Sequence, residues 1–185
     1  MTAIVGIRQD GRVWIGGDAA GVGGLSMSTR ADPKVFRNGE FVIGYTSSFR
    51  MGQLLEHQLT PPKPYEGEAG VAFMVRRFVP AVKKTLKEHG YERRHEEQEY
   101  GGHFLVGWRG ELYHVEGDYQ VAREAQGYAA CGCGCDLALG SLFSTERLGT
   151  SKPKPRLLMA LEAAAEFSAG VRPPFTILAT EKGKQ

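Results

Sequence analysis

The chain has 185 residues, of which 42% are apolar and 24% are charged, and its formal net charge is +2. These values are typical of a globular protein, so we expect one domain over residues 1–185. A charge this close to neutral gives no reason to expect a nucleic-acid or membrane partner.

The beginning of the chain and its cysteines bear on its location. The start, MTAI, lacks the charged segment and long apolar stretch of a secretory signal peptide. No window has the roughly 18 apolar residues of a membrane span. Three cysteines, Cys131, Cys133 and Cys135, are an odd number in one short segment and do not form a disulfide framework. We therefore expect a reducing, cytoplasmic location.

Residues 3–45 predict an antiparallel sheet. The turn signals Asp10-Gly11 and Asn38-Gly39 each separate two short apolar runs, which is typical of β-hairpins. Residues 19–24, between these hairpins, are rich in glycine, and we expect them to form a loop.

Helical spacing of apolar residues begins after this sheet, and Ser47 or Ser48 is a candidate cap for the first helix. Predicted helices lie at 51–55, 71–86, 137–143 and 157–165. Predicted strands lie at 103–108, 112–115, 120–122, 128–131 and 175–178. Because strands and helices come in separate blocks, the sequence predicts an α+β fold with two stacked sheets and a helical layer on each outer face.

Thr2 is a candidate nucleophile if Met1 is removed. Methionine aminopeptidases act before a small second residue, and threonine is small enough. The exposed α-amino group would have a pKa of about 7.7–8.0 and would suit removal of the hydroxyl proton at neutral pH. Taken alone, a threonine at position 2 means little, because small residues are common there.

Two charged residues strengthen the case for Thr2. Asp18 stands at the end of the second predicted strand, and Lys34 begins the strand after the glycine-rich loop. A lysine beside Thr2 would favour its alkoxide, and Asp18 would hold the lysine ammonium in place. The alternative is that both are solvated surface residues, as most such residues are.

The segment Thr2–Ile7, followed by Gly17-Asp18 and Lys34-Val35, resembles proteasome β subunits and the bacterial proteasome-like peptidase of a two-component ATP-dependent protease. That family has Thr, Asp and Lys in this order and at these separations. The resemblance continues through Gly44-Tyr45 and resumes at Gly132-Cys133-Gly134, where the family has Gly-Ser-Gly. It implies Thr2 as nucleophile, Asp18 as the residue that orients the site and Lys34 as electrostatic activator.

The same resemblance implies a four-layer αββα sandwich of the N-terminal-nucleophile (Ntn) hydrolase type. It implies a peptidase that works through an acyl-enzyme, usually inside a homo-oligomeric ring, on peptides or unfolded polypeptides. An ATP-dependent unfoldase is then a potential partner, and no cofactor is required. Two other functions stay open: an amidase acting on a small non-peptide amide, and a catalytically silent scaffold subunit.

Three positions depart from the family's pattern. Ser47 stands where a glycine supplies the oxyanion-hole N–H, and we expect the serine amide to do the same. Cys133 stands where a serine hydroxyl bonds the α-amine, and a thiol is a weaker partner. Ser168 is out of register by one in the late Asp-x-x-Ser-Gly motif, which here begins at Glu166. Its spacing from Leu161 predicts that it continues the buried face of a helix and approaches the site.

The sequence offers residues for two kinds of metal site. Gly170, Pro173 and Thr176 match the spacing of backbone carbonyls that hold a cation in the bacterial relatives, which suggests a structural ion. The three cysteines offer soft ligands, but a zinc site wants a fourth ligand and usually a CxxC spacing. We therefore favour small residues packed at a close backbone approach as the role of the cysteines.

Overall fold

The structure of the protein, a computed structural model, describes residues 1–91, 93–95, 98–149 and 152–182. The strands β1 to β13, in chain order, are Ile4–Gln9, Arg12–Gly17, Ala20–Gly23, Ser26–Thr29, Val35–Asn38, Phe41–Tyr45, Arg93–His95, Gln98–Tyr100, Phe104–Trp108, Glu111–Val115, Val121–Ala122, Tyr128–Cys131 and Thr176–Ala179. The helices α1 to α5 are Phe49–His57, Gly70–Phe73, Val79–Glu88, Cys135–Arg147 and Pro153–Phe167, and the π-helical turn Met74–Phe78 joins α2 to α3.

Two larger antiparallel sheets form the centre of the molecule. Their strand orders are β12-β1-β2-β13 and β11-β10-β9-β6-β5. The predicted Asp10-Gly11 hairpin is confirmed: both residues have positive φ, and β1 pairs with β2 from Ile4–Gly17 to Gln9–Arg12. Such a turn matches the right-handed twist of the strands that it joins.

Three apolar cores separate four layers. One core lies between the two sheets and includes Ile4, Ile15 and Val35. A second lies between the five-stranded sheet and helices α1 to α3, and the third lies between the four-stranded sheet and helices α4 and α5. The αββα sandwich expected from the sequence is therefore the observed fold.

Glycines bring the two sheets close together. A β-carbon on Gly44 of β6 would lie 2.6 Å from Ile4 and 2.7 Å from Ile15, both on the opposite sheet. A β-carbon on Gly17 of β2 would lie 2.8 Å from both Ile4 and Val35. These distances are shorter than van der Waals contact, so only glycine fits at the present sheet separation.

The prediction of a loop over residues 19–24 is wrong. Strand β3 occupies most of it and pairs with β4 in a small separate hairpin, from Ala20–Thr29 to Gly23–Ser26. Glycine is rare in strands, so its abundance favoured a loop. Here Gly21 leaves room for a neighbour, because a β-carbon there would lie 3.0 Å from the Arg30 side chain.

Gly44→Ala should lower the free energy of unfolding by about 1–3 kcal/mol, because the added methyl group overpacks the core between the sheets. Gly23→Ala is the matched control, since nothing lies within 4 Å of its β-carbon position. We expect the control to change stability by less than about 0.5 kcal/mol. Denaturant unfolding measures both, and equal effects would contradict this account of the sheet spacing.

Candidate active site

Strand pairing brings Thr2, Asp18 and Lys34 to one end of the sandwich. Ile4 pairs with Gly17, so Asp18, one residue beyond that pair, and Thr2, two residues beyond it, lie at the same end of the four-stranded sheet. Lys34 directly precedes β5 in the facing sheet. Its Nζ donates to Thr2 Oγ1 at 2.7 Å and to Asp18 Oδ1 at 2.9 Å.

All three side chains are withdrawn from water. Thr2 is 4% exposed, Asp18 2% and Lys34 1%. Charged side chains are seldom buried in this way, because removing an ion pair from water costs free energy unless other groups hydrogen-bond to it. The structure therefore excludes the surface alternative for Asp18 and Lys34.

Backbone amides complete the surroundings of Asp18. Its Oδ1 accepts from the amide of Ala3 at 3.0 Å, and its Oδ2 accepts from Ala20 at 2.8 Å and from Arg172 at 3.3 Å. Together with Lys34, these groups give the carboxylate four donors, and an ionised carboxylate only accepts. Asp18 thereby connects four separate parts of the chain around Thr2.

The environment of Lys34 favours its neutral form more than water does. Burial lowers the pKa of Lys34 from its usual value of 10.5, and the nearby Asp18 carboxylate opposes that change. Lys34 Nζ also lies 5.8 Å from the centre of the Phe49 ring, over which the Arg30 guanidinium lies at 4.1 Å. The charge of Lys34 is thus held mainly by Asp18.

The loop after β12 holds the main chain of Thr2. Gly132 has a φ of 100°, and a β-carbon there would lie 2.2 Å from the Thr2 carbonyl oxygen, so only glycine fits. The Gly134 amide donates to that same oxygen at 3.2 Å. The Thr2 nitrogen donates to Cys133 Sγ at 3.2 Å. The Gly-Cys-Gly segment therefore positions both the carbonyl and the nitrogen of Thr2.

Ser168 reaches this loop by another route than expected. Helix α5 ends at Phe167, and Ser168 follows it in an extended conformation rather than continuing the buried face of the helix. Its Oγ lies 3.5 Å from Cys133 Sγ and accepts from the Gly170 amide at 3.4 Å. Ser168 thus contacts the residue beside Thr2, whereas Glu166 is exposed on the helix.

Ser47 lies in the turn between β6 and α1 with a φ of 73°. Positive φ is uncommon for serine and costs about 1–2 kcal/mol. Its Oγ accepts from the His103 amide at 3.2 Å, which fixes the turn. Among the described residues, no hydrogen bond joins Ser47 to Thr2 or Lys34. The next residue, Ser48, caps α1 by accepting from Met51 at 3.4 Å, as one of the two predicted caps.

Met1 covers one side of Thr2. The Met1 carbonyl accepts from Thr2 Oγ1. Its side chain packs where a β-carbon on Gly170 would otherwise be, 2.3 Å from Met1 Cβ. While Met1 is attached, the Thr2 nitrogen is an amide and is no base, so the chemistry expected of Thr2 requires loss of Met1.

Sequence reasoning missed the backbone donors of Ala20 and Arg172 and the stacked pair of Arg30 and Phe49. Every residue except proline has a backbone amide, so the sequence does not show which amides bind a carboxylate. The spacing of Arg30 and Phe49 likewise does not indicate that their side chains stack.

The three cysteines do not share one strand face. Cys131 ends β12, Cys133 lies beside Thr2 and Cys135 begins α4. The part of the chain that the structure describes contains no group of three His, Cys, Asp or Glu residues suited to a metal ion.

Comparison with known proteins shows which solved structures share this fold. No family model and no curated protein sequence matches the chain. BPH of Thiobacillus denitrificans, solved in complex with epoxomicin, superposes with a TM-score of 0.82 at 20% identity, over 98% of this chain and 100% of that one. Eukaryotic HslV from Trypanosoma brucei superposes with a TM-score of 0.69 at 17% identity, over 97% of this chain and 99% of that one.

A Gly-1 mutant of Anbu from Hyphomicrobium sp. strain MC1 gives a TM-score of 0.67 at 14% identity, over 98% of this chain and 82% of that one. These structural neighbours are proteasome-like Ntn hydrolases, so the chain has the proteasome-like Ntn-hydrolase fold. Separately, none of the helices in the described residues is long and apolar enough to cross a membrane.

Asp18→Ala should lower the free energy of unfolding by about 3–5 kcal/mol, because it leaves a buried ammonium and three backbone amides without their acceptor. Asp32→Ala, which removes a 66% exposed partner of Arg30, is the matched control and should cost at most about 1 kcal/mol. Adding Lys34→Met to Asp18→Ala should restore part of the loss, which a double-mutant cycle by denaturant unfolding measures. Purely additive effects would show that the pair is not coupled.

Proposed function

We propose that the protein is a threonine-type peptidase whose nucleophile is Thr2 Oγ1 once Met1 has been removed. The observation that carries this proposal is the 2.7 Å hydrogen bond from the buried Lys34 ammonium to Thr2 Oγ1. A cation at this position stabilises negative charge as it develops on the hydroxyl oxygen. A purely structural threonine has no need of a buried ion pair at its side chain.

The first half of the reaction forms an acyl-enzyme. The free α-amine of Thr2 takes the Oγ1 proton, and the oxygen attacks the carbonyl carbon of the substrate. The resulting oxyanion would accept from the Ser47 amide, whose positive φ sets its direction. The ammonium of Thr2 then gives its proton to the departing amine, the peptide C–N bond breaks, and an ester remains on Thr2.

The second half releases the product. The α-amine takes a proton from water, and the hydroxide attacks the ester carbonyl. The ester bond breaks, the proton returns to Thr2 Oγ1, and a free carboxylic acid leaves. Thr2 thus ends in its starting state, with one water consumed per peptide bond.

Four further residues support these steps. Lys34 stabilises the Thr2 alkoxide, and Asp18 keeps the Lys34 side chain charged and directed at Oγ1. Cys133 Sγ orients the α-amine, since it already contacts the Thr2 nitrogen at 3.2 Å. Ser168 acts through Cys133, 3.5 Å away, and is a positioning residue.

The assembly and partners are also part of the proposal. We propose a homo-oligomeric ring in the cytoplasm that acts on peptides or unfolded polypeptides, with an ATP-dependent unfoldase as a potential partner. Because the neighbour BPH is solved in complex with epoxomicin, we propose that this chain binds the same compound. The structural cation at the carbonyls of Gly170, Pro173 and Thr176 stays a prediction.

Thr2→Ala should reduce hydrolysis of short capped peptides by at least about 10³-fold, because among the described residues Lys34 donates to no other hydroxyl. Thr2→Ser is the matched control and should keep measurable activity, since it preserves the hydroxyl. Small non-peptide amides are assayed alongside: faster cleavage of these than of peptides would favour the amidase alternative. Unchanged peptide hydrolysis by Thr2→Ala would overturn the proposal.

The pH profile of kcat/KM should be bell-shaped. The acid limb reflects the Thr2 amine, which must be neutral and has an ordinary pKa of about 7.7–8.0. The alkaline limb reflects Lys34, which must be charged. Since burial lowers the pKa of Lys34, activity should fall as pH rises, before pH reaches 10.5. Steady-state rates measured with circular dichroism at each pH test this, and activity that stays constant through pH 10.5 in folded protein would contradict it.

A further inference from the structure

Arg30 lies beside the candidate site, yet none of the hydrolytic steps uses it. It directly follows β4, and its backbone amide donates to the carbonyl of Ala19 at 2.8 Å. Ala19 is the chain neighbour of Asp18, so the β3–β4 hairpin brings Arg30 to the end of the sandwich that carries Thr2. Backbone pairing therefore sets the position from which the Arg30 side chain starts.

The Arg30 side chain crosses from this hairpin to helix α1. A β-carbon on Gly21 would lie 3.0 Å from Arg30 Cγ, so the stem of the arginine lies against the Gly21 backbone. The guanidinium carbon lies 4.1 Å from the centre of the Phe49 ring. Lys34 Nζ lies 5.8 Å from the same ring centre. The guanidinium and the ammonium that holds Thr2 Oγ1 are thus neighbours of one aromatic ring.

Among the described residues, one donor of the Arg30 guanidinium has no acceptor: the buried Nε. The adjacent Nη2 donates to Asp32. In an arginine, Nε and one Nη point in the same direction and together fit the two oxygens of one carboxylate. Asp32 takes one of these paired donors, and its side chain is 66% exposed, so this ion pair contributes little to stability. A better placed carboxylate would take both donors.

A substrate side chain has a path to Arg30. Phe49 begins α1 directly after the turn that holds Ser47, whose amide is the proposed oxyanion donor. A substrate carbonyl carbon that is ready for attack lies about 3–3.5 Å from Thr2 Oγ1. The side chain of the same substrate residue begins two bonds away from that carbon. An extended side chain that follows the Phe49 ring therefore ends at the Arg30 guanidinium.

The charges around this path favour an acidic side chain over a basic one. Burial is the main cause that lowers the pKa of Lys34, and the positive charge of Arg30 lowers it further. A carboxylate on Arg30 would offset that repulsion and keep Lys34 in the charged form that the Thr2 alkoxide needs. A basic side chain would add a third cation and act in the opposite sense.

We propose that Arg30 recognises an acidic side chain on the substrate residue whose carbonyl is attacked, and that the substrate carboxylate replaces Asp32 on Nε and Nη2. The proposal rests on the proposed peptidase function, because it names the class of peptide that this site takes. A neutral side chain of the same length would leave the buried Nε without a charged acceptor. Arg30 is thus the residue that sets specificity.

The test measures binding without turnover, in the Thr2→Ala protein. Its probes are two short peptides that carry an N-terminal fluorophore and differ only in the last residue, Glu or Gln. Fluorescence anisotropy at neutral pH gives the two dissociation constants. The Glu peptide should bind about 10-fold more tightly, because a two-pronged charged pair replaces a solvated one. Adding Arg30→Gln should bring this ratio to about one, since a neutral amide makes no charged pair.

Two further variants of the Thr2→Ala protein sharpen the result. Asp32→Ala should raise the ratio, because it removes the carboxylate that competes for Arg30. Arg12→Gln is the matched control, since Arg12 is an exposed arginine at the far end of β2 from Asp18. It should leave the ratio unchanged. Circular dichroism checks that each variant folds.

Four outcomes would overturn the proposal: equal binding of the two peptides, a ratio that Arg30→Gln leaves unchanged, tighter binding of a peptide that ends in lysine, or no binding of either peptide. Because binding is measured in a protein without the nucleophile, the selectivity can fail while hydrolysis through Thr2 stands. Conversely, peptide hydrolysis that survives Thr2→Ala would contradict the mechanism and leave the measured selectivity of Arg30 intact.

Discussion

The buried ion pair between Asp18 and Lys34 is the interaction on which the rest of the site depends. A lysine that is 1% exposed keeps a charge only if a partner offsets its lost hydration. Asp18 does so while accepting three backbone amides from separate segments of the chain. The strand pairing that brings Ile4 beside Gly17 supplies this arrangement. The same strand pairing that builds the four-stranded sheet therefore also places Asp18, and with it the charge of Lys34, beside Thr2.

Much of the fold follows from local sequence. The Asp10-Gly11 turn, the capping serine before α1 and the separate blocks of strands and helices each predict what the structure contains. Hairpin turns depend on backbone preferences of single residues, so short motifs suffice. Residues 19–24 were mispredicted because the strand there is stabilised by hydrogen bonds to β4 rather than by its own composition.

The sequence predicts only part of the candidate site. Thr2, Asp18 and Lys34 are predicted site residues because their side chains suit the chemistry and their separations resemble a known family, and the structure brings them together. The amides of Ala20 and Arg172, which hold Asp18, carry no side-chain signal and needed the tertiary structure. Ser168 was expected at the site, but it arrives from the end of α5, since helix ends are set by capping and not by apolar spacing. The positive φ of Ser47 likewise shows only in coordinates.

The central claim is that Thr2, with a free α-amine, is the nucleophile. Intact-mass measurement of the purified protein before and after treatment with a covalent electrophilic peptide probe, followed by mapping of the N-terminal peptide, tests it most directly. We predict a chain that lacks Met1 and that gains one adduct, located on Thr2. A chain that retains Met1, or an adduct located instead on the neighbouring Cys133 thiol, would contradict it.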